Sequence, residues 1–252
     1  MAGAREVIER LPRTSESVIT ALVPNLRGAE AALATGGVDE LTVTVAASAV
    51  YNERNVHRTI EESVDEIRRI ADVATAQLVP VDAVISCAFG SPYEGAIPAA
   101  DVAALARRLV DAGSSAVTLA DTTGVATPKT IEAVLREIAQ VLPGLSPGLH
   151  LHETRGTALA NAYASLALGV TRFDTSVGGL GGSPFADGAG GNLATEDFVA
   201  WLDSLSVHTG IDLDTLLIAA RMTAELVGRD LPSKVRAISG VNGAGSSAIL
   251  RP

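Results

Sequence analysis

Cysteine, aromatic residues and clustered positive charge are all scarce in this chain, and each scarcity excludes something. Cys87 is the single cysteine in 252 residues, so no intrachain disulfide can form and a reducing compartment, the cytoplasm, is expected. It lies in an apolar run and reads as a small buried side chain rather than a reactive thiol. Aromatic residues make up 3% of the chain, and 19 Lys and Arg stand against 29 Asp and Glu, for a net charge of −10. With a pI near 4.8 and no basic cluster interleaved with aromatics, nucleic acid and anionic membrane surfaces are excluded as partners. Long hydrophobic runs are missing too. The best stretch, Ala158 to Val170, is broken by Asn161 and Ser165 and falls short of the ~20 residues a membrane span needs. The N-terminus is charged by Arg5 and Glu6 and has no signal-peptide core.

Apolar residues, by contrast, reach 47%, enough for one sizeable core and incompatible with disorder. Apolar, β-branched runs alternate with helical stretches along the chain. Strands are expected at 18–23, 40–45, 82–89, 116–120, 149–152 and 171–176. Helices are expected at 3–11, 28–34, 58–77, 99–112, 128–141, 158–168 and 194–207. Continuously apolar strands alternating with helices indicate parallel βα units with both faces covered. The expected fold is α/β, a (β/α)8 TIM barrel; a doubly wound sheet competes, but its first turn lacks G-x-G-x-x-G. Only six βα units are visible, so the barrel reads as N-terminally incomplete. The whole chain, 1–252, reads as a single partial barrel domain with a helical extension and tail from about 211.

Chemistry concentrates between His150 and Asn192. His150 and His152 are two of only four histidines, and on a strand they share one face while Leu151 takes the other. A strand histidine is commonly a hydrogen-bonded core residue, but two in register at a strand's C-terminal end are candidate metal ligands. The segment Val177 to Asn192 is about half glycine, the composition of a backbone that must approach a ligand closely. Asp121 ends the fourth strand and is a candidate for acid-base or supporting work, with helix capping as the plain alternative. Asn55, after the second strand, is a candidate substrate contact or a helix N-terminal turn residue. Tyr93 and Glu94 follow the third strand and are placed to touch substrate. Glu61, Glu62 and Asp65 read as a solvated helix face paired with Arg58, Arg68 and Arg69. Lys234 and Arg236, in the tail, either approach phosphates of a ligand or are solvated charges.

Several segments carry a resemblance. They are Ala21 to Gly28, Ile60 to Ser63, Ser86-Cys87-Ala88-Phe89-Gly90-Ser91-Pro92-Tyr93-Glu94-Gly95, Asp121 to Pro128, the His150/His152 pair, and Gly178 through Asp197. Together they resemble the hydroxymethylglutaryl-CoA lyase family, among the metal-dependent TIM-barrel lyases and aldol-type synthases. The likeness runs from about Val18 to Leu217. It implies cleavage of 3-hydroxy-3-methylglutaryl-CoA to acetyl-CoA and acetoacetate, as in leucine degradation. It also implies Mg2+ or Mn2+ held by His150, His152, Asn192 and an aspartate on the first strand, an acyl-CoA substrate, and a homo-oligomer, a dimer. Asn55 and Tyr93 would contact substrate, while Ser183 and Asp121 would serve the proton transfers.

Two departures follow from the comparison with that family. Its first strand carries an Arg-Asp-Gly segment supplying an enolate-stabilising arginine and the fourth metal ligand, and no such strand precedes Val18; the second strand is absent too. Where well-characterised members hold a cysteine in the glycine loop, this chain has Ser183, a far weaker acid than a thiol. The expectation is a late-started version of a lyase whose chemistry belongs to a longer protein. Ser183 favours a second reading, a lyase or aldolase for another 3-hydroxyacyl-CoA or oxo-acid. The missing strands favour a third, an inactive metal- or CoA-binding remnant.

Overall fold

The computed structural model describes residues 3–13, 17–182, 185 and 190–241. Helix α1 (Ala4–Arg10) precedes β1 (Thr20–Leu22), and α2 (Leu26–Leu33) leads to β2 (Glu40–Ala46). Helices α3 (Ala49–Val56) and α4 (Ile60–Thr75) lead to β3 (Val81–Ser86), α5 (Ala99–Asp111) to β4 (Ala116–Ala120), and α6 (Pro128–Val141) to β5 (Gly148–His150). Then come α7 (Ala158–Ala167), β6 (Phe173–Asp174), a short 3-10 turn (Val177–Gly179), α8 (Thr195–Ser204), α9 (Leu213–Val227) and α10 (Lys234–Val241). All five strand pairings are parallel, in the order β1-β2-β3-β4-β5-β6. Side chains from all six strands, from Thr20 on β1 to Asp174 on β6, line one cavity of about 550 Å³. The sheet therefore curves as a barrel wall does, and among the described residues β1 and β6 do not pair with each other. Six parallel βα units on one curved sheet are the expected α/β barrel architecture.

The strands are less uniformly apolar than the sequence reading holds. In β2, Leu41, Val43 and Val45 are buried against the helices, whereas Glu40, Thr42 and Thr44 turn to the concave face and are only half-buried. The helix side is closed by Ile85, Leu119 and Leu149 from the strands and Ile70, Leu109, Ile131 and Ile138 from the helices. The concave side is polar. At its floor the Asp82 carboxylate accepts from Thr118 at 2.7 Å and from Arg172 at 3.0 Å. Burial, the largest influence, pushes the Asp82 carboxyl above its ordinary value.

Side-chain caps explain where the helices begin. Thr59 and Glu62 form a capping box at α4, and Thr127 caps α6 with Pro128 in its first turn. Glu61, Glu62 and Asp65 are exposed as expected and Arg68 pairs with Asp65, whereas Arg58 and Arg69 pair with the buried Glu66. Helix α3 occupies a stretch expected as loop. Ser48 caps it, and buried Asn52 ties it down, accepting from Ala46 N–H and donating to Arg58 O and Ser63 Oγ. Helix α10 lies in the tail, where the Asp197 carboxylate accepts from the N–H groups of Lys234 and Val235 and from the Ser233 hydroxyl. No helix among the described residues is long and apolar enough to cross a membrane.

Leu119 sits on β4 between β3 and β5 and is 0% exposed. Leu119→Ala is expected to destabilise the fold by about 2–5 kcal/mol in denaturant unfolding, the usual cost of a buried leucine cavity. A loss under about 1 kcal/mol would contradict this account of the core.

Candidate metal and acyl-CoA site

The two histidines leave β5 on the concave face, His150 as its last residue and His152 just beyond, with ring centroids 5.2 Å apart. Each ring has one nitrogen engaged. His150 Nδ1 lies 3.3 Å from Asp174 Oδ2, and His152 Nδ1 lies 3.1 Å from the Gly190 carbonyl oxygen. An ionised carboxylate and a carbonyl can only accept, so in the neutral rings both Nδ1 atoms carry the proton and both Nε2 lone pairs remain available. Burial first, and the neighbouring His150 second, hold His152 below its ordinary pKa. A neutral imidazole is the form that ligates metal.

The return arm of the glycine loop brings Asn192 to this pair. Leu193 N–H donates to Leu151 O at 2.9 Å and Glu153 N–H to Gly191 O at 2.8 Å, so residues 191–193 run antiparallel to 151–153. His152 and Asn192 stand directly opposite each other in that pairing, which puts their side chains on the same side. Asn192 Nδ2 donates to Leu180 O at 2.7 Å, while Oδ1 is buried without a hydrogen-bond partner. Asn192 lines the adjacent pocket with Gly190 and Gly191, while the histidines line the concave cavity; an amide oxygen without a donor and two imidazole lone pairs are donor types that fit a hard or borderline divalent cation. Among the described residues no three His, Cys, Asp or Glu side chains converge as a metal-binding group. Close approach explains the glycines: a Cβ on Gly191 would overlap the Gly179 carbonyl, and one on Gly190 would come within 2.7 Å of Thr154 Cα.

Asp121 occupies a different wall. Ala120 and Thr122 enter the cavity, and alternation turns Asp121 away, 1% exposed. Its Oδ1 accepts from Val125 and Ala126 N–H, holding the turn after β4, and Oδ2 is buried and unpartnered. Burial pushes this carboxyl up to about 6. Asn55 is in the last turn of α3, not in an N-terminal turn, and reaches the cavity beside Tyr51. Tyr93 is 38% exposed, donates its hydroxyl to the Phe185 carbonyl at 2.7 Å and lies under the Arg54 guanidinium. Glu94 is held by the Ser48 hydroxyl. Ser183 lies outside the described residues.

The HMGL-like family pattern matches residues 2–223. Hydroxymethylglutaryl-CoA lyase YngG of Bacillus subtilis (strain 168) is 39% identical over 234 residues, covering 93% of this chain and 78% of that protein. The chain belongs to the HMGL-like family. The crystal structure of hydroxymethylglutaryl-CoA lyase from Pseudomonas aeruginosa superposes with a TM-score of 0.89 at 38% identity, covering 94% of this chain and 79% of that one. That of an HMG-CoA lyase from Acinetobacter baumannii in complex with coenzyme A and 3-methylmalate gives a TM-score of 0.88 at 32% identity, over 98% and 79%.

Several residues of this HMGL-like site went unread in the sequence. Asp174 meets His150, Gly190 meets His152, and fully buried Glu196 accepts the Gly178 N–H at 2.9 and 3.0 Å, anchoring the start of the glycine loop. Thr44, Ser86 and Thr122 contribute hydroxyls to the cavity. Their signal was the strand alternation itself, Thr42 and Thr44 between Leu41, Val43 and Val45. Lys234 pairs with Glu153 at 3.6 Å and Arg236 with Asp230 at 3.2 Å. Cys87 is buried, and burial pushes its thiol up to about 12.

Asp121 gives a pH test. Its folded pKa, about 6, exceeds the ordinary 3.8, so its contribution to stability is complete below the unfolded value and is lost as pH rises through about 6. Asp121→Asn keeps the Oδ1 acceptor and removes the charge. Its stability relative to the native chain should rise by up to about 3 kcal/mol between pH 4 and pH 7.5. A difference independent of pH in denaturant unfolding would contradict the raised pKa.

Tyr93→Phe removes one hydrogen bond to the glycine loop, a loss of about 0.5–1.5 kcal/mol. Amide exchange at Gly181 and Gly182 should quicken while global unfolding changes little. Unchanged exchange there would show that the Tyr93 hydroxyl does not tie down the loop.

Proposed function

We propose that this chain is a divalent-metal-dependent carbon-carbon lyase that cleaves 3-hydroxy-3-methylglutaryl-CoA to acetyl-CoA and acetoacetate. The observation that carries the reading is the histidine pair with both Nδ1 atoms satisfied, facing a polar cavity, with Asn192, whose amide oxygen is unpartnered, paired opposite His152. The family and the relatives with that activity support the same assignment.

His150, His152 and Asn192 would hold the ion. Mg2+ or Mn2+ held there would supply positive charge that makes the substrate's tertiary hydroxyl more acidic. The chain's own groups orient the substrate. The Thr44, Ser86 and Thr122 hydroxyls and the Asn55 amide line the cavity and offer hydrogen bonds to a polar acyl group. Tyr51, which lines the cavity, packs against Tyr93 and Phe185 with ring centroids 6.4 Å apart. Asp121 is turned away from the cavity and its Oδ1 accepts from Val125 and Ala126 N–H, so its part is to hold the turn after β4 that carries Thr122 into the cavity. We assign proton transfer at the substrate to Ser183 of the glycine-rich loop. The carbon-carbon bond breaks as the hydroxyl proton leaves; acetoacetate departs, and the enolate of acetyl-CoA takes a proton. A bound acyl-CoA is in keeping with the Acinetobacter baumannii relative, which was solved with coenzyme A. A cytoplasmic setting suits the lone buried Cys87.

The test is acetoacetate release from 3-hydroxy-3-methylglutaryl-CoA. Turnover should require Mn2+ or Mg2+, fall to background with chelator, and drop by about 10²-fold or more in His152→Ala, where several kcal/mol of charge stabilisation is lost. Chelator-insensitive turnover, or full activity in His152→Ala, would contradict the proposal.

A further inference from the structure

We propose that Asp174 is the positioning residue for His150: it fixes the ring's protonation on Nδ1, aims Nε2 into the cavity and strengthens it as a metal donor. The inference rests on the metal reading above and extends it to a residue the family likeness did not single out. The register puts the two side by side. Strands β5 and β6 are parallel with His150 opposite Asp174, so both side chains leave the sheet on the concave face. Both line the same cavity, and Asp174 Oδ2 lies 3.3 Å from His150 Nδ1. A carboxylate without a proton has only lone pairs to offer, so the shared hydrogen must belong to the ring.

Two further observations separate orientation from mere proximity. Arg172, two residues earlier and so on the same face, is the cation that would otherwise compete for Asp174. Its guanidinium is instead taken by Asp82 at 3.0 Å and Thr118 at 2.9 Å. Moreover, His150, His152 and Asp174 do not form a three-residue group able to hold a metal among the described residues. Asp174 meets the ring at Nδ1, which leaves Nε2 for the ion. His152 has a different support, the uncharged carbonyl of Gly190, which makes the two histidines separable by experiment. A carboxylate hydrogen-bonded to a ligating imidazole raises its basicity, and loss of such a partner typically lowers metal affinity about 10- to 100-fold.

The experiment compares the full chain with Asp174→Ala and Asp174→Asn, using His150→Ala to assign signals and far-UV circular dichroism to check folding. Mn2+ affinity is read from the electron paramagnetic resonance of the free aqueous ion. Ring protonation is read from 15N histidine spectra of the metal-free chain. Asp174→Ala should weaken Mn2+ binding about 10- to 100-fold and release His150 into a mixture of tautomers, with the His152 signals unchanged. Asp174→Asn, whose amide oxygen still accepts, should keep the Nδ1–H tautomer and weaken binding less. An Asp174→Ala chain that binds Mn2+ within twofold of native with an unchanged His150 spectrum overturns the proposal. Equal losses in the Ala and Asn chains, with the His150 tautomer intact in both, overturn it as well and make Asp174 a direct ligand. Failure of the native chain to bind Mn2+ would sink the metal reading instead, and the metal-free spectra would still decide whether Asp174 orients His150.

Discussion

A strand paired in parallel sends its side chains alternately to the helix layer and to the concave face, and this constraint fixes what each residue of the site can do. On β5 it puts Leu149 and Leu151 into the core and His150 and His152 into the cavity. On β4 it admits Ala120 and Thr122 and turns Asp121 behind the wall. On β6 it sets Asp174 beside His150. A one-residue slip in any of these pairings would exchange the two sets, so the apolar helix face, which cannot tolerate the exchange, is what secures the chemistry on the other side.

The second constraint is backbone closeness. The arm from Gly190 to Leu193 runs alongside the end of β5, hydrogen-bonded through Gly191 O and Leu193 N, and this proximity delivers both the Gly190 carbonyl to His152 and the Asn192 amide to the same side. Only glycine fits at 190 and 191 without collision. At the other end of the loop, buried Glu196 holds Gly178 N–H. The described ends of the glycine-rich segment are thus fixed, Gly178 by Glu196 and the arm from Gly190 to Leu193 against the end of β5.

Much of this was legible in the sequence. The six strands and their parallel order followed from alternating apolar runs, and β4 and α6 have the expected boundaries. The pairing of His150 with His152 followed from a spacing of two. Helix α3 was hidden because its stability comes from Ser48 and Asn52, a cap and a buried amide that hydrogen-bonds to distant backbone, and not from an apolar stripe. Helix α10 was hidden for a related reason: its cap, Asp197, lies 36 residues before Ser233 in the chain. Asp174 and Gly190 were beyond reach because their roles depend on which strand and which loop arm lie next to β5. The polar concave face, by contrast, was written in Thr42 and Thr44 and passed over in favour of uniform hydrophobicity.

Two imidazole nitrogens meeting one ion are the core of the proposed site. Pulsed electron paramagnetic resonance of Mn2+ added to the protein, with histidine labelled as 15N, tests this directly. The account predicts couplings from two equivalent-type imidazole nitrogens, reduced to one in either His150→Ala or His152→Ala. Bound Mn2+ with no nitrogen coupling, or with couplings that survive both substitutions, would contradict it and move the ion away from the concave face.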